Sequence, residues 1–140
     1  MNAAPLTAAQ VQAMLDASPF IAFMRIRVLS VDAEAQSITM SMPLRPELER
    51  KAGTGQFHGG PIAALIDTAG DYALAIALGG GVPTINFRTD FLRPAFNTEL
   101  TAVATVRRAG RTVGVVDVDV FDDQRRLLAV GRATYSMQVG

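Results

Sequence analysis

The stretch Gly55-Gln56-Phe57-His58-Gly59-Gly60-Pro61-Ile62-Ala63-Ala64-Leu65-Ile66-Asp67 decides how this chain is read. It sets the only histidine and two adjacent glycines at the mouth of a helix, and then a carboxylate two turns inside it. The run continues through Ala69, Ala73, Leu74, Ile76 and Ala77, so the segment from Pro61 to about Leu78 is apolar on most faces. A helix that is apolar nearly all round is a core helix. Pro61 suits the first helical position, where its missing N–H costs nothing, and Gly79-Gly80-Gly81 ends the segment.

Upstream, Thr7-Ala8-Ala9-Gln10 has the capping-box form and opens a helix from Thr7 to Ala17 with Val11, Met14 and Leu15 on one face. Ser18-Pro19 stops it, because proline disfavours helix at the residue before it. Phe20 and Phe23 are expected to anchor the start of a sheet. Arg25 to Val31 reads as a strand, Asp32 to Gln36 as a turn, and the alternation of Ile38, Met40 and Met42 with Thr39 and Ser41 as a half-buried strand. Pro43 to Gly60 is a long polar loop, a length often associated with function. Downstream, turn residues at Pro94–Asn97, Ala109-Gly110 and Asp122–Gln124 divide four strands: Thr84–Leu92, Leu100–Arg108, Thr112–Phe121 and Leu127–Met137. The last three are expected to form an antiparallel meander. A sheet wrapping one hydrophobic helix satisfies this order as an α+β layer structure.

The 140 residues suit one domain, 1–140, and 49% apolar residues suffice for an ordered core. Lys+Arg and Asp+Glu are equal at 13 each, which argues against a nucleic-acid binder and leaves little charge repulsion against self-association. With no cysteine there is no thiol nucleophile and no thiolate metal site. No basic region precedes an apolar run as in a signal peptide, and no stretch is read as a membrane span, so a cytoplasmic protein with no membrane partner is expected.

The chemistry concentrates at the helix entrance. Glycines let a backbone approach a ligand closely, and the first N–H groups of a helix lack internal partners at the positive end of its dipole. Gly59 and Gly60 are therefore candidate oxyanion donors. Asp67 lies in an apolar helix, where carboxylates are rarely buried without cause. Such a setting favours a base or a nucleophile, and direct attack on a carbonyl and activation of a water both stay open. Eight residues separate Gly59 from Asp67, about 12 Å of rise. The two cannot meet one carbonyl from a single chain. Two such helices antiparallel across a twofold axis would bring them together and create two equivalent sites.

His58-Gly59-Gly60, Asp67 on the following helix, and Phe91-Leu92-Arg93-Pro94-Ala95 closing the next strand resemble the PaaI-like branch of the hotdog-fold thioesterases. The resemblance runs from Pro19-Phe20 to the last strand. It implies a hotdog fold, with an antiparallel sheet around a long central helix, and hydrolysis of acyl-CoA thioesters. It assigns the oxyanion N–H to Gly59, the reacting carboxylate to Asp67 and a water-positioning hydroxyl to Thr84. His58 would orient the loop or hydrogen-bond near the thioester. It further suggests aryl-acetyl or short- to medium-chain acyl groups, and a homodimer or a dimer-of-dimers tetramer. Two positions depart from the pattern. Ala52 stands where relatives often carry Asn or Gln, with Gln56 as the candidate substitute, and Asp71, one turn beyond Asp67, replaces a small or hydroxyl residue. Asp71 is expected to tune specificity or bind a polar acyl group. Arg93, Arg107, Arg108 and Arg111 lie near strand ends or turns, and Arg93 and Arg111 are expected to meet the substrate, since guanidinium suits phosphate.

The first reading is thus an acyl-CoA thioesterase that needs no cofactor and no metal. A non-catalytic acyl-CoA or lipid-binding module on the same fold, favoured by Ala52, is the alternative, and a hydratase or dehydratase is the third.

Overall fold

In the computed structural model, which describes residues 3–140, the chain runs α1 (Ala8–Ala17), α2 (Pro19–Met24), β1 (Arg27–Asp32), β2 (Ser37–Met42), a 3-10 turn (Pro46–Leu48), α3 (Gly59–Leu78), β3 (Thr84–Phe91), β4 (Leu100–Ala109), β5 (Val113–Phe121) and β6 (Leu127–Ser136). The six strands form one antiparallel sheet in the order β1-β2-β4-β5-β6-β3. Helix α3 packs along β2 to β6. This is the hotdog arrangement, α+β, and β4-β5-β6 form the expected meander.

The capping box of α1 is reciprocal: Gln10 N–H donates to Thr7 Oγ1 (3.2 Å) and Thr7 N–H to Gln10 Oε1 (2.8 Å). The next segment departs from expectation. Residues 19–24 do not start the sheet but form α2, because a proline in the first turn begins a helix as readily as it ends the one before. Phe20 and Phe23 are 60% and 52% exposed rather than anchors of the core. The Arg45 guanidinium lies 4.7 Å from the centroid of the Phe23 ring.

Helix α3 begins two residues before Pro61, with His58 as its N-cap. Pro61 is its third residue, still among the four whose N–H has no helical partner, so the proline remains harmless. The helix closes on Gly79, whose φ of +86° is the left-handed cap conformation. At 20 residues α3 is, by length and composition, apolar enough to cross a membrane, contrary to the sequence reading that no stretch is. It is instead the core helix: Leu65, Ile66, Ala69 and Ala75 are fully buried against the sheet. Two glycines set the depth of this packing. A β-carbon on Gly131 of β6 would stand 2.5 Å from Ile66 Cγ2, and one on Gly70 would collide with the Tyr135 hydroxyl.

Strand β3 is an edge. One side pairs with β6 from Thr84 to Phe91, with a bulge between Thr84 and Asn86. On this strand Ile85, Phe87 and Phe91 are 56%, 39% and 55% exposed. An edge strand this long, with apolar side chains exposed, is a template for pairing with another chain.

Candidate active site

Asp67 sits in the middle of α3, half-buried, on the flank facing the start of β3. Thr84, the first residue of β3, donates its hydroxyl to Asp67 Oδ1 at 2.7 Å. The β3 bulge lies immediately beyond Thr84, and bulges re-aim neighbouring side chains. Beneath the pair, the Tyr135 hydroxyl on β6 donates to the Asp67 backbone carbonyl at 2.7 Å. Burial, reinforced by the Asp67 and Asp71 charges, pushes the Tyr135 phenol far above its ordinary range, so it stays an O–H donor. This buried tyrosine was not singled out in the sequence. The signal was there: a glycine inside an apolar helix, Gly70, leaves room for one large side chain from the sheet.

One turn along α3, Asp71 accepts a hydrogen bond from Val82 N–H at 2.7 Å through Oδ1. Burial raises its pKa to about 7; the Val82 N–H opposes the shift and the Asp67 charge adds to it. Asp67 and Asp71 are thus both half-buried on one face of α3.

At the other end of α3, His58 caps the helix. Its Nδ1 accepts from Gly60 N–H at 3.0 Å. In the neutral ring the proton is then on Nε2, which points away as a donor. The cap consumes the Gly60 N–H that the sequence offered as a second oxyanion donor. The Gly59 N–H has no protein acceptor among the described residues. The entrance is held in place by a lattice of backbone bonds: His58 N–H donates to the Leu48 carbonyl (2.8 Å), and Phe57 N–H to that of Ala95 (2.9 Å). A β-carbon on Gly59 would meet the Phe91 ring at 3.2 Å, so the ring sits close over this glycine.

A cleft of about 290 Å³ opens beside Gly59, lined among others by Gln56, Ile62, Phe91, Arg50 and Arg93. Gln56 and Arg93 thus meet at the helix entrance, while Ala52 is exposed in the turn before it. Arg50 was not singled out by the sequence reading. Arg111 lies elsewhere, in the exposed β4–β5 turn, beside the strand ends that pair Val113 with Ser136 and Thr84 with Tyr135. Arg107 projects onto the outer face of the sheet, where it pairs with Asp117 at 3.4 Å. The structure therefore places two groups of candidate residues on one helix: Asp67 with Thr84, and His58-Gly59 with the cleft.

The Thioesterase superfamily profile matches residues 54–129, so the chain belongs to that superfamily. Among its relatives is the acyl-coenzyme A thioesterase PaaI of Escherichia coli, 33% identical over 111 residues, 76% of this chain and 74% of that protein. The solved structure of E. coli PaaI matches with a TM-score of 0.79 at 29% identity, covering 91% of this chain and 89% of that one. A crystallised thioesterase-superfamily protein matches with a TM-score of 0.88 at 31% identity, over 94% and 98% of the two chains. A thioesterase from Haemophilus influenzae gives 0.82 at 26%, over 94% and 90%.

Proposed function

We propose that the protein is an acyl-CoA thioesterase acting as a dimer, or as a dimer-of-dimers tetramer, in the cytoplasm. It releases free acid and CoA from short- to medium-chain or aryl acyl-CoA. The Thr84–Asp67 hydrogen bond carries the reading. It fixes one oxygen of a helix carboxylate and leaves the other for a proton. The edge strand β3 supports the dimer: pairing two copies antiparallel would bring the Thr84 end of one protomer to the Phe91 end of the other, and so Asp67 to Gly59 of the partner subunit.

Water attacks the thioester carbon while Asp67 takes its proton. The oxyanion forms at the Gly59 N–H of the partner subunit, where helix dipole and free donor coincide. Collapse breaks the C–S bond, and the thiolate recovers the proton from Asp67. Direct attack by Asp67 would form an acid anhydride that water then opens, with the same products. Arg50 and Arg93 suit the phosphates of CoA as the cleft's cations.

Asp67→Asn is expected to cut kcat by about 10²–10⁴-fold. Release of CoA, followed by thiol trapping across acyl-CoAs of differing length and aromaticity, measures it. Undiminished turnover by this variant rejects the assignment. Saturable binding of acyl-CoA by the natural chain without thiol release would favour the binding module that Ala52 suggests. The shared site has its own test. Co-expression of Asp67→Asn with Gly59→Val chains leaves one intact site in each mixed dimer, so about a quarter of natural activity should return. No recovery would mean that both groups serve one chain.

A further inference from the structure

Resting on the reading that Asp67 is the reacting carboxylate, we propose that Asp71 is a positioning residue that sets Thr84 against Asp67 through the chain between them. The linker from α3 to β3 is Gly79-Gly80-Gly81-Val82-Pro83; its three glycines bring no side chain to pack, and Val82 alone joins the core. Its three glycines have more conformational freedom to lose on folding than any other residue type. Yet the residue it delivers, Thr84, must place one hydroxyl within hydrogen-bond reach of Asp67.

Beyond its first residue, whose N–H closes α3 on the Ala75 carbonyl (2.8 Å), three bonds hold the linker. Gly140 N–H donates to the Gly81 carbonyl (3.1 Å), Ser136 N–H to the Pro83 carbonyl (2.9 Å), and Val82 N–H to Asp71 Oδ1 (2.7 Å). The first two come from the chain terminus and from β6. Past the Gly79 cap, only the third comes from α3, the helix that carries Asp67. Asp67 and Asp71 are i and i+4 neighbours on one face, so Asp71 registers the linker against the same helix surface that presents the reacting carboxylate. The Asp71 carboxylate lies under Gly81, where a β-carbon would be 3.5 Å from Oδ1 and 3.6 Å from Oδ2. Asp71 thus connects to Thr84 over two residues of backbone, and Thr84 to Asp67 by one hydrogen bond. An Asp at this position does what a small or hydroxyl side chain does not: it reaches across to the linker.

The test is a double-mutant cycle read in kcat and KM. Thr84→Ala removes the hydroxyl, and its kcat should fall about 10–100-fold, the range for a hydrogen bond to a charged group. Asp71→Ala should lower kcat about 10-fold with KM within twofold. Asp71→Asn keeps an oxygen acceptor for Val82 N–H and should recover most of that loss. In the double variant Thr84→Ala/Asp71→Ala, the second change should add less than about twofold, because Asp71 acts only through Thr84. Multiplicative losses, or an Asp71→Asn variant as impaired as Asp71→Ala, overturn the proposal. Should Asp71→Ala fail to fold, Asp71→Ser, alone and in the Thr84→Ala background, gives the same cycle. Full activity of Asp67→Asn would instead reject the underlying assignment. Loss in Asp67→Asn without loss in Asp71→Ala rejects this inference alone.

Discussion

At the residue scale, two carboxylates one turn apart divide the work by their surroundings. Asp67 is half-buried, held by one hydroxyl and open toward the edge strand. Asp71 is withdrawn beneath the glycine linker, and burial lifts its pKa to about 7. An acid whose pKa rises on folding binds more protons in the native state, so its contribution to stability is most favourable below its unfolded pKa near 4. That contribution is lost as pH climbs toward 7, by up to about 4 kcal/mol for a rise of this size. Asp71→Asn should therefore match the natural chain in urea midpoint near pH 4 and become progressively more stable than it up to pH 8. A constant difference across that range would contradict a raised Asp71. The comparison within one pair of variants cancels other carboxylates such as Asp117, whose pKa its hydrogen bond from Arg132 lowers.

At the element scale, the site depends on how close α3 lies to the sheet. Gly70 leaves the space that the Tyr135 hydroxyl fills, and that hydroxyl holds the carbonyl of Asp67. Gly70→Ala favours the isolated helix but forces Tyr135 aside, and overpacking should outweigh propensity by about 1–3 kcal/mol. A lowered denaturant midpoint together with reduced kcat is expected, and a stabilised variant would show that the hydroxyl has another place to go. Tyr135→Phe keeps the ring, removes the donor and should cost about 1 kcal/mol. The other end of α3 is set differently, by a cap: His58 Nδ1 binds Gly60 N–H, and the lattice through Leu48 and Ala95 holds the loop that carries the histidine.

At the scale of the whole molecule, the proposed reacting groups Asp67 and Gly59 lie on a single helix, about 12 Å apart. Its unpaired edge, β3, carries Ile85, Phe87 and Phe91 exposed. Under the proposed shared site, Phe87→Lys on that edge should shift sedimentation toward monomer and abolish turnover together, because a separated protomer would lack the partner's Gly59. Turnover surviving in a demonstrated monomer would refute the shared site. The outer face of the sheet offers a second hollow of about 480 Å³ among Arg88, Asp90, Arg107, Asp117 and Arg132. Four of its charges are paired with one another, Arg132 to Asp117 at 2.6 Å and Arg88 to Asp90 at 2.8 Å, and it holds none of the candidate site residues.

Local chemistry was legible in the sequence wherever neighbours along the chain decide it. The Thr7–Gln10 box, the glycine stop after Leu78 and the alternation in β2 are short-range patterns, and the strand limits from Thr84 onward fell within a residue or two of those observed. Proline was ambiguous, since Pro19 both ends α1 and begins α2, and Pro61 tolerates three positions in a first turn. Apolarity likewise reports only that α3 avoids water, while its burial in a sheet rather than a lipid core is decided by what surrounds it. Only the tertiary structure joined Thr84 to Asp67, Tyr135 to the carbonyl of Asp67 and Val82 to Asp71, across 17, 68 and 11 residues. Such separations leave no periodic trace, because what brings the groups together is the packing of α3 on the sheet rather than any spacing along the chain.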